Sequence, residues 1–329
     1  MALPSSLISG KASSMSSIRD APFPFNDASA DVIFRSSDGV DFRALKAILS
    51  IASPFFKDMF TLPQPSTHSP DTFTGDVYRD GILVIPLTED SEILDFILRS
   101  CYPVRSPRIT RLNHIRAVLV ASRKYQIEAL EGVGEEELWK IMDTDPIGVY
   151  TIAVRFGLRE VATKAARASL RHPLLTFSDG LSGITCEQYF ALLKYRDDCG
   201  IAAAAVTQSR TWLDQCFNTL RWKCHTYGRP DGLDDCYVKD TISSKNSGWD
   251  WFAPPILWAF LTQAGVGLRS RPHGSWLTDD LEWEEQVPRW SAAKCKHSGS
   301  SFGQGMTKFR QLLAEEVERV VDEIAGPQN

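Results

Sequence analysis

No stretch of this 329-residue chain reaches the ~18 uninterrupted apolar residues of a membrane-spanning helix, and even WFAPPILWAFL (251–261) is broken by Pro254 and Pro255. The opening MALPSSLISGKASSMSSIRDAPFPF lacks the basic n-region and continuous apolar h-region of a secretory leader. Its serines, Lys11 and Arg19 allow a transit peptide, but Asp20 and the scattered prolines suit a polar leader better. The 7 cysteines are odd in number and scattered, which fits reduced thiols rather than a disulfide framework. The expected setting is the cytoplasm or nucleus, with no membrane partner.

Catalytic signatures are also missing. There is no G-x-S-x-G elbow, H-E-x-x-H, Walker loop or G-x-G-x-x-G. The lone glycine pairs GVG (265–267) and GQG (303–305) read as turns. His68, His114, His172 and His273 lie in unrelated contexts and read as surface or loop residues rather than bases. A non-catalytic protein without cofactors is expected. The formal charge of -5 gives no general attraction to a phosphate backbone, although Arg105, Arg108 and Arg111 make a local basic patch. Nucleic acid is not an expected partner.

What is present is an ordinary globular composition, 43% hydrophobic and 23% charged. At roughly 150 residues per domain, its length points to two domains. Residues 1–27 read as a disordered tail. DVIFRSSDGVDFRA then alternates around Asp38-Gly39, with Val32 and Phe34 on one arm and Val40 and Phe42 on the other, predicting a β-hairpin. In FRALKAILSIASPFFKDMF, Leu45, Ile48, Leu49 and Ala52 share a helical face, which must be buried. Pro54 disfavours a helical Ser53, so the first helix ends there. Ser53 then caps, and Pro54 opens, a second helix with Phe55, Phe56, Met59 and Phe60. A polar loop leads to GILVIPL, a strand covered on both faces. SEILDFILRSCY follows, capped by Thr88, Asp90 or Ser91, then NHIRAVLVASRKYQIEAL with Asn113 as its cap.

This order, with F-x-A-x-K-x-x-L-x-x-x-S-P-F-F (Phe42 to Phe56), IPL, ILDFILRSCYP and ASRKYQIEAL, resembles a BTB/POZ domain over residues 28–131. The resemblance implies an α+β fold, a small mixed sheet flanked by helices, followed here by a mainly α-helical region. It also implies association with itself or with other BTB proteins through the hairpin and first helix, here Val32, Phe34, Phe42, Ala44, Leu45 and Leu49. Each of these could equally serve only its own core. Some family members dock onto a cullin-type ubiquitin-ligase scaffold, which is the alternative function. The loop TLPQPSTHSPDTF lacks a clear hydrophobic residue two before an acidic one, the pattern that good dockers tend to carry. The family usually places His where this chain has Leu45, so a role of that His does not carry over.

Beyond residue 131 the pattern is helical. PIGVYTIAVRFGL, REVATKAARASL and EQYFALLKY, the last behind a Thr185–Gln188 capping box, are similar to a BACK-type extension over 132–222. IAAAAVTQSRTWLDQCFNTLRW reads as one longer helix, and Glu135-Glu136-Glu137 as a solvated helix start. Residues 223–329 form a Trp/Cys-containing region that ends in an amphipathic helix with Thr307 as cap, Gly326 as stop and a stripe from Phe309 to Ile324. Its tryptophans read as core, with a peptide groove as the minority reading. Tyr195, Cys199 and this region together resemble BTB proteins of basidiomycete fungi. Cys216, Cys224, Cys236 and Cys295 are the set that a structural zinc would use, although no C-x2-4-C pair exists and plain thiols are the simpler reading. A small zinc-binding protein or an enzyme is the rival class.

Overall fold

The first described residues already belong to a sheet. Arg19–Asp20 (β1) pairs in parallel with Val40–Ala44 (β3), and β3 pairs antiparallel with Val32–Arg35 (β2), Phe34 facing Phe42. Gly39 turns this hairpin at φ 82, a conformation that costs glycine little. Val77–Arg79 (β4) and Ile82–Pro86 (β5) complete the sheet in the order β1-β3-β2-β5-β4, with β5 parallel to β2. The computed structural model describes residues 18–62, 77–173, 176–209, 212, 238–239, 252–253, 255–279, 283 and 302–327. It divides into residues 1–138 and 139–329.

The reading of residues 1–27 as a tail does not hold from residue 18 onward. β1 is in the sheet, and Phe25 is buried against Phe42 and Tyr102 at ring distances of 5.7 and 5.3 Å. The polar, proline-rich composition concealed one aromatic anchor.

Lys46–Ala52 (α1) and Pro54–Thr61 (α2) are separated by Ser53 alone, which is extended at φ -146, ψ 119. Its hydroxyl accepts from the Phe56 amide at 3.1 Å and donates to the Tyr125 carbonyl, so one side chain caps α2 and ties it to a later helix. That bend delivers Phe56 onto Phe34 and Tyr125, with rings 5.4 and 5.2 Å apart.

Ser91–Cys101 (α3) is capped by Asp90 and buries Ile93, Leu94, Phe96, Ile97 and Leu98. Leu112–Tyr125 (α4) ends at a left-handed Gln126, and Glu128–Ile141 (α5) follows. Arg111, not Asn113, occupies the cap position of α4. Glu135 to Glu137 lie inside α5 rather than at its start, because Gly132 and Gly134 do not break it. Gly134 instead gives α4 room: a Cβ there would stand 2.5 Å from Leu119 Cδ2.

In the second unit, Pro146–Phe156 (α6) is capped by Asp145 and stopped by Gly157 at φ 70, and Arg159–Ser169 (α7) follows. After a 3-10 turn at Asp179–Gly183, Cys186–Val206 (α8) begins with the expected capping box. This single helix joins two segments that the sequence separates at Cys199-Gly200. Gly200 marks a close crossing, since a Cβ there would lie 2.5 Å from the Arg269 carbonyl oxygen. The other described elements are the pair Val238–Lys239 (β6) and Phe252–Ala253 (β7), then Pro255–Ser270 (α9), Ser275–Thr278 (α10) and Phe302–Asp322 (α11). GVG lies within α9 and GQG within α11, so neither is a turn, and Thr307 is internal to α11 rather than its cap. A Cβ on Gly267 would strike the Trp276 ring. Of the expected C-terminal stripe, Phe309, Leu313, Val317 and Val321 are buried and Leu312, Val320 and Ile324 half-buried, and the helix ends at Asp322, short of Gly326.

Ser53→Ala is expected to remove about 1–3 kcal/mol of protection from hydrogen exchange over α2 and α4, leaving α6 to α8 unchanged. Equal protection in the variant would contradict the clamp.

Candidate interaction surface

The hairpin register decides what its side chains can reach. Val32 faces Ala44 and Phe34 faces Phe42, so these four share one sheet face. Phe25 and Phe56 pack on that face, and Val32, Phe34, Phe42 and Ala44 are buried at 0–1% exposure. Leu49 is equally enclosed on α1, and Leu45 alone of the six candidates is partly exposed. Its amide donates to the Tyr102 hydroxyl at 2.7 Å. Within the isolated chain, five of the six therefore line the domain's own core.

Apolar surface lies elsewhere on α1. Ile51 is 89% exposed, while Leu45 and Ile48 are half-buried at three-residue intervals before it. Phe55, Met59 and Phe60 of α2 are also half-buried. At the far edge of the sheet, β4 exposes Val77 and Tyr78. Ile51 was legible as apolar in the sequence. Its outward direction becomes clear only once Leu49 is fixed inward.

A charged cluster covers the opposite side of the hairpin. The buried Asp41 carboxylate accepts from Arg35 at 2.6 and 2.9 Å and from Arg79 at 2.7 Å, and Arg79 also holds Asp20 at 2.8 Å. Four strands are joined this way. Burial opposes charge on Asp41, but the hydrogen bonds from Arg35 and Arg79 outweigh it, and the carboxyl titrates below its ordinary value. Glu89 is held similarly: burial works against its charge, yet Lys124 and the Tyr125 hydroxyl keep it ionised, while the tyrosine is pushed well upward.

The described histidines are not assembled for catalysis. His114 is buried on α4 with Nδ1 3.2 Å from Glu92, so it is not a surface residue. His273, expected on a loop surface, is largely enclosed. Arg171 donates to its Nε2 at 3.2 Å and Glu318 stands 3.4 Å from Nδ1; burial lowers its pKa. His172 lends its carbonyl to the buried Arg196, and His68 lies outside the described residues. The Cys101 and Cys199 thiols are pushed up to about 11 by burial, which disfavours thiolate chemistry. Among the described residues no group of His, Cys, Asp and Glu could hold a metal ion, and no helix is long and apolar enough to cross a membrane. Cys216, Cys224, Cys236 and Cys295 all lie outside the described residues, as does the 63–76 loop that bears on cullin docking. Of the tryptophans, Trp283 is buried against Phe260 and Trp276, at 4.9 and 5.3 Å, as a core residue would be. Trp249 and Trp251 lie outside the described residues.

Residues 24–141 match the family model of the BTB/POZ domain. The chain therefore carries this interaction domain, with its small curled sheet and helices, followed by a helical C-terminal region. A protein-binding role follows from that domain, whose family is generally non-catalytic. No curated protein matches the chain, so the narrower likeness to basidiomycete proteins has no relative behind it.

Asp41→Asn should cost about 1–3 kcal/mol at neutral pH, below the full loss for a buried pair because Arg35 and Arg79 reach solvent. A carboxyl with a lowered folded pKa stabilises the fold above its unfolded value, and that contribution disappears as pH falls through the folded one. Wild-type protein should thus lose stability as pH drops below 3.8, and the variant should show a shallower loss in acid denaturation. Parallel acid profiles would contradict this assignment.

Proposed function

We propose that this protein is a non-catalytic interaction module whose BTB/POZ domain associates with itself or with another BTB domain through the hairpin and first-helix region. The observation that carries this reading is Ile51, a large apolar side chain left 89% exposed on the helix whose inner face is fully used. Leu45 and Ile48 extend the same apolar strip. Val32, Phe34, Phe42, Ala44 and Leu49 support it from beneath, holding α1 at a fixed height over the sheet. An aliphatic anchor on a rigid helix favours association because little side-chain or backbone entropy remains to be lost.

A cullin adaptor is the second reading. It draws support from the BTB/POZ domain itself, and the absence of the docking pattern from TLPQPSTHSPDTF weighs against it. Pull-down with a cullin N-terminal domain tests it. The helices of 132–222 are read as a BACK-type extension that positions whatever the region beyond it holds. Structural zinc at Cys216, Cys224, Cys236 and Cys295 belongs to the rival class, which metal analysis of purified protein tests. Cytoplasm or nucleus is the proposed location, and the net charge of -5 supports a protein rather than a nucleic-acid partner.

Light scattering on the full chain should give twice its 36.8 kDa mass. Ile51→Glu should weaken self-association about 30-fold or more while leaving the fold intact. Phe42→Asp, by contrast, should unfold the domain, because a carboxylate would replace a buried ring. A monomeric wild type would leave only association with another BTB domain, and an Ile51→Glu variant that still associates normally would overturn the reading.

A further inference from the structure

The face carrying α3 and the loop to α4 holds a second surface, unrelated in chemistry to the apolar strip on α1. A wide-mouthed cleft of about 440 Å³ is lined by Asp95, Arg99, Arg105, Ser106, Pro107 and Arg108. Three arginines and one carboxylate line it: Asp95 Oδ2 accepts from Arg99 Nε at 2.7 Å, while Asp95 Oδ1 is buried without a hydrogen-bond partner. Arg99 is further fixed by donating to the Phe23 carbonyl at 2.8 Å and by lying over the Phe25 ring, 5.5 Å from its centroid. It forms a rigid wall.

Arg105 and Arg108 are different. Both are exposed, and neither has a carboxylate within ion-pair distance among the described residues; Arg111 and Arg116 beyond them share this lack, whereas Arg19, Arg35, Arg43, Arg79, Arg99 and Arg123 of the same unit each have one. Their loop is flanked by a buried Ile109, at 4% exposure, and by the Val104 amide, which donates to the Tyr102 carbonyl at 2.8 Å.

We propose that this cleft binds an anionic segment of a partner protein, its carboxylate or phosphate held by Arg105 and Arg108 against the wall made by Arg99. Guanidinium groups match both anions through paired N–H donors. A peptide fits better than nucleic acid because only Arg105 and Arg108 join Arg99 in the lining of the open cleft, and the chain carries a net charge of -5. The proposal does not depend on self-association through α1, and its failure would leave that reading untouched.

The test uses fluorescence anisotropy on the full chain with four labelled probes: a short glutamate-rich peptide, a phosphoserine peptide of the same length, their glutamine counterpart, and oligothymidylate of matching charge. At least one anionic peptide should bind, and the glutamine peptide should bind about tenfold more weakly or less. The stronger of the two anionic probes identifies the source of the anion. Arg105→Gln with Arg108→Gln should weaken binding about tenfold or more with an unchanged melting curve, while Lys46→Gln with Lys57→Gln should not. No binding by either anionic peptide, or binding that the arginine pair does not affect, would overturn the proposal. Tighter binding of oligothymidylate, lost in the arginine variant, would overturn it in favour of nucleic acid.

Discussion

The packing of Phe56 between Phe34 and Tyr125 is the contact on which the first unit depends. It brings a hairpin strand, α2 and α4 to one point, and each reaches that point for a separate reason. Phe34 arrives by strand alternation, Phe56 because Ser53 is extended ahead of Pro54, and Tyr125 because α4 ends there at a left-handed residue. The Ser53 hydroxyl fastens the last two together. Without the bend at Ser53, α1 and α2 would run on as one rod and Phe56 would be carried away from the sheet.

This inward commitment sets what remains for function. The hairpin's aromatic residues complete a core, and the recognition we propose therefore falls to the outer side of α1 and to charge. Charge itself is divided between two tasks. Around Asp41 it is closed and neutralised, which suits a structural joint. Along the loop after α3 it is open, which suits a partner. The same residue type, arginine, stands in both settings.

Sequence revealed most where the signal is local. The Asp38-Gly39 turn, the Ser53-Pro54 break and the Thr185–Gln188 box each depend on residues within a few positions, and each occurs as read. Long-range consequences were concealed. Gly134, Gly200 and Gly267 look like interruptions in isolation, yet each lies inside a helix at a point where another element comes too close for a side chain. Phe25 could not be distinguished from its proline-rich surroundings until Phe42 and Tyr102 were placed beside it. For the candidate surface, alternation gave the hairpin two faces but not their direction, which is decided by α2 and α4 covering one of them.

The most direct test of the account is lysine cross-linking of a mixture of unlabelled and isotopically labelled full-length chains, read by mass spectrometry. Lys46 and Lys57 flank the outer side of α1 and α2, so mixed-isotope links should concentrate there. Mixed links confined to lysines beyond residue 139, or none at all, would contradict an interaction domain that meets its partner through the first helix.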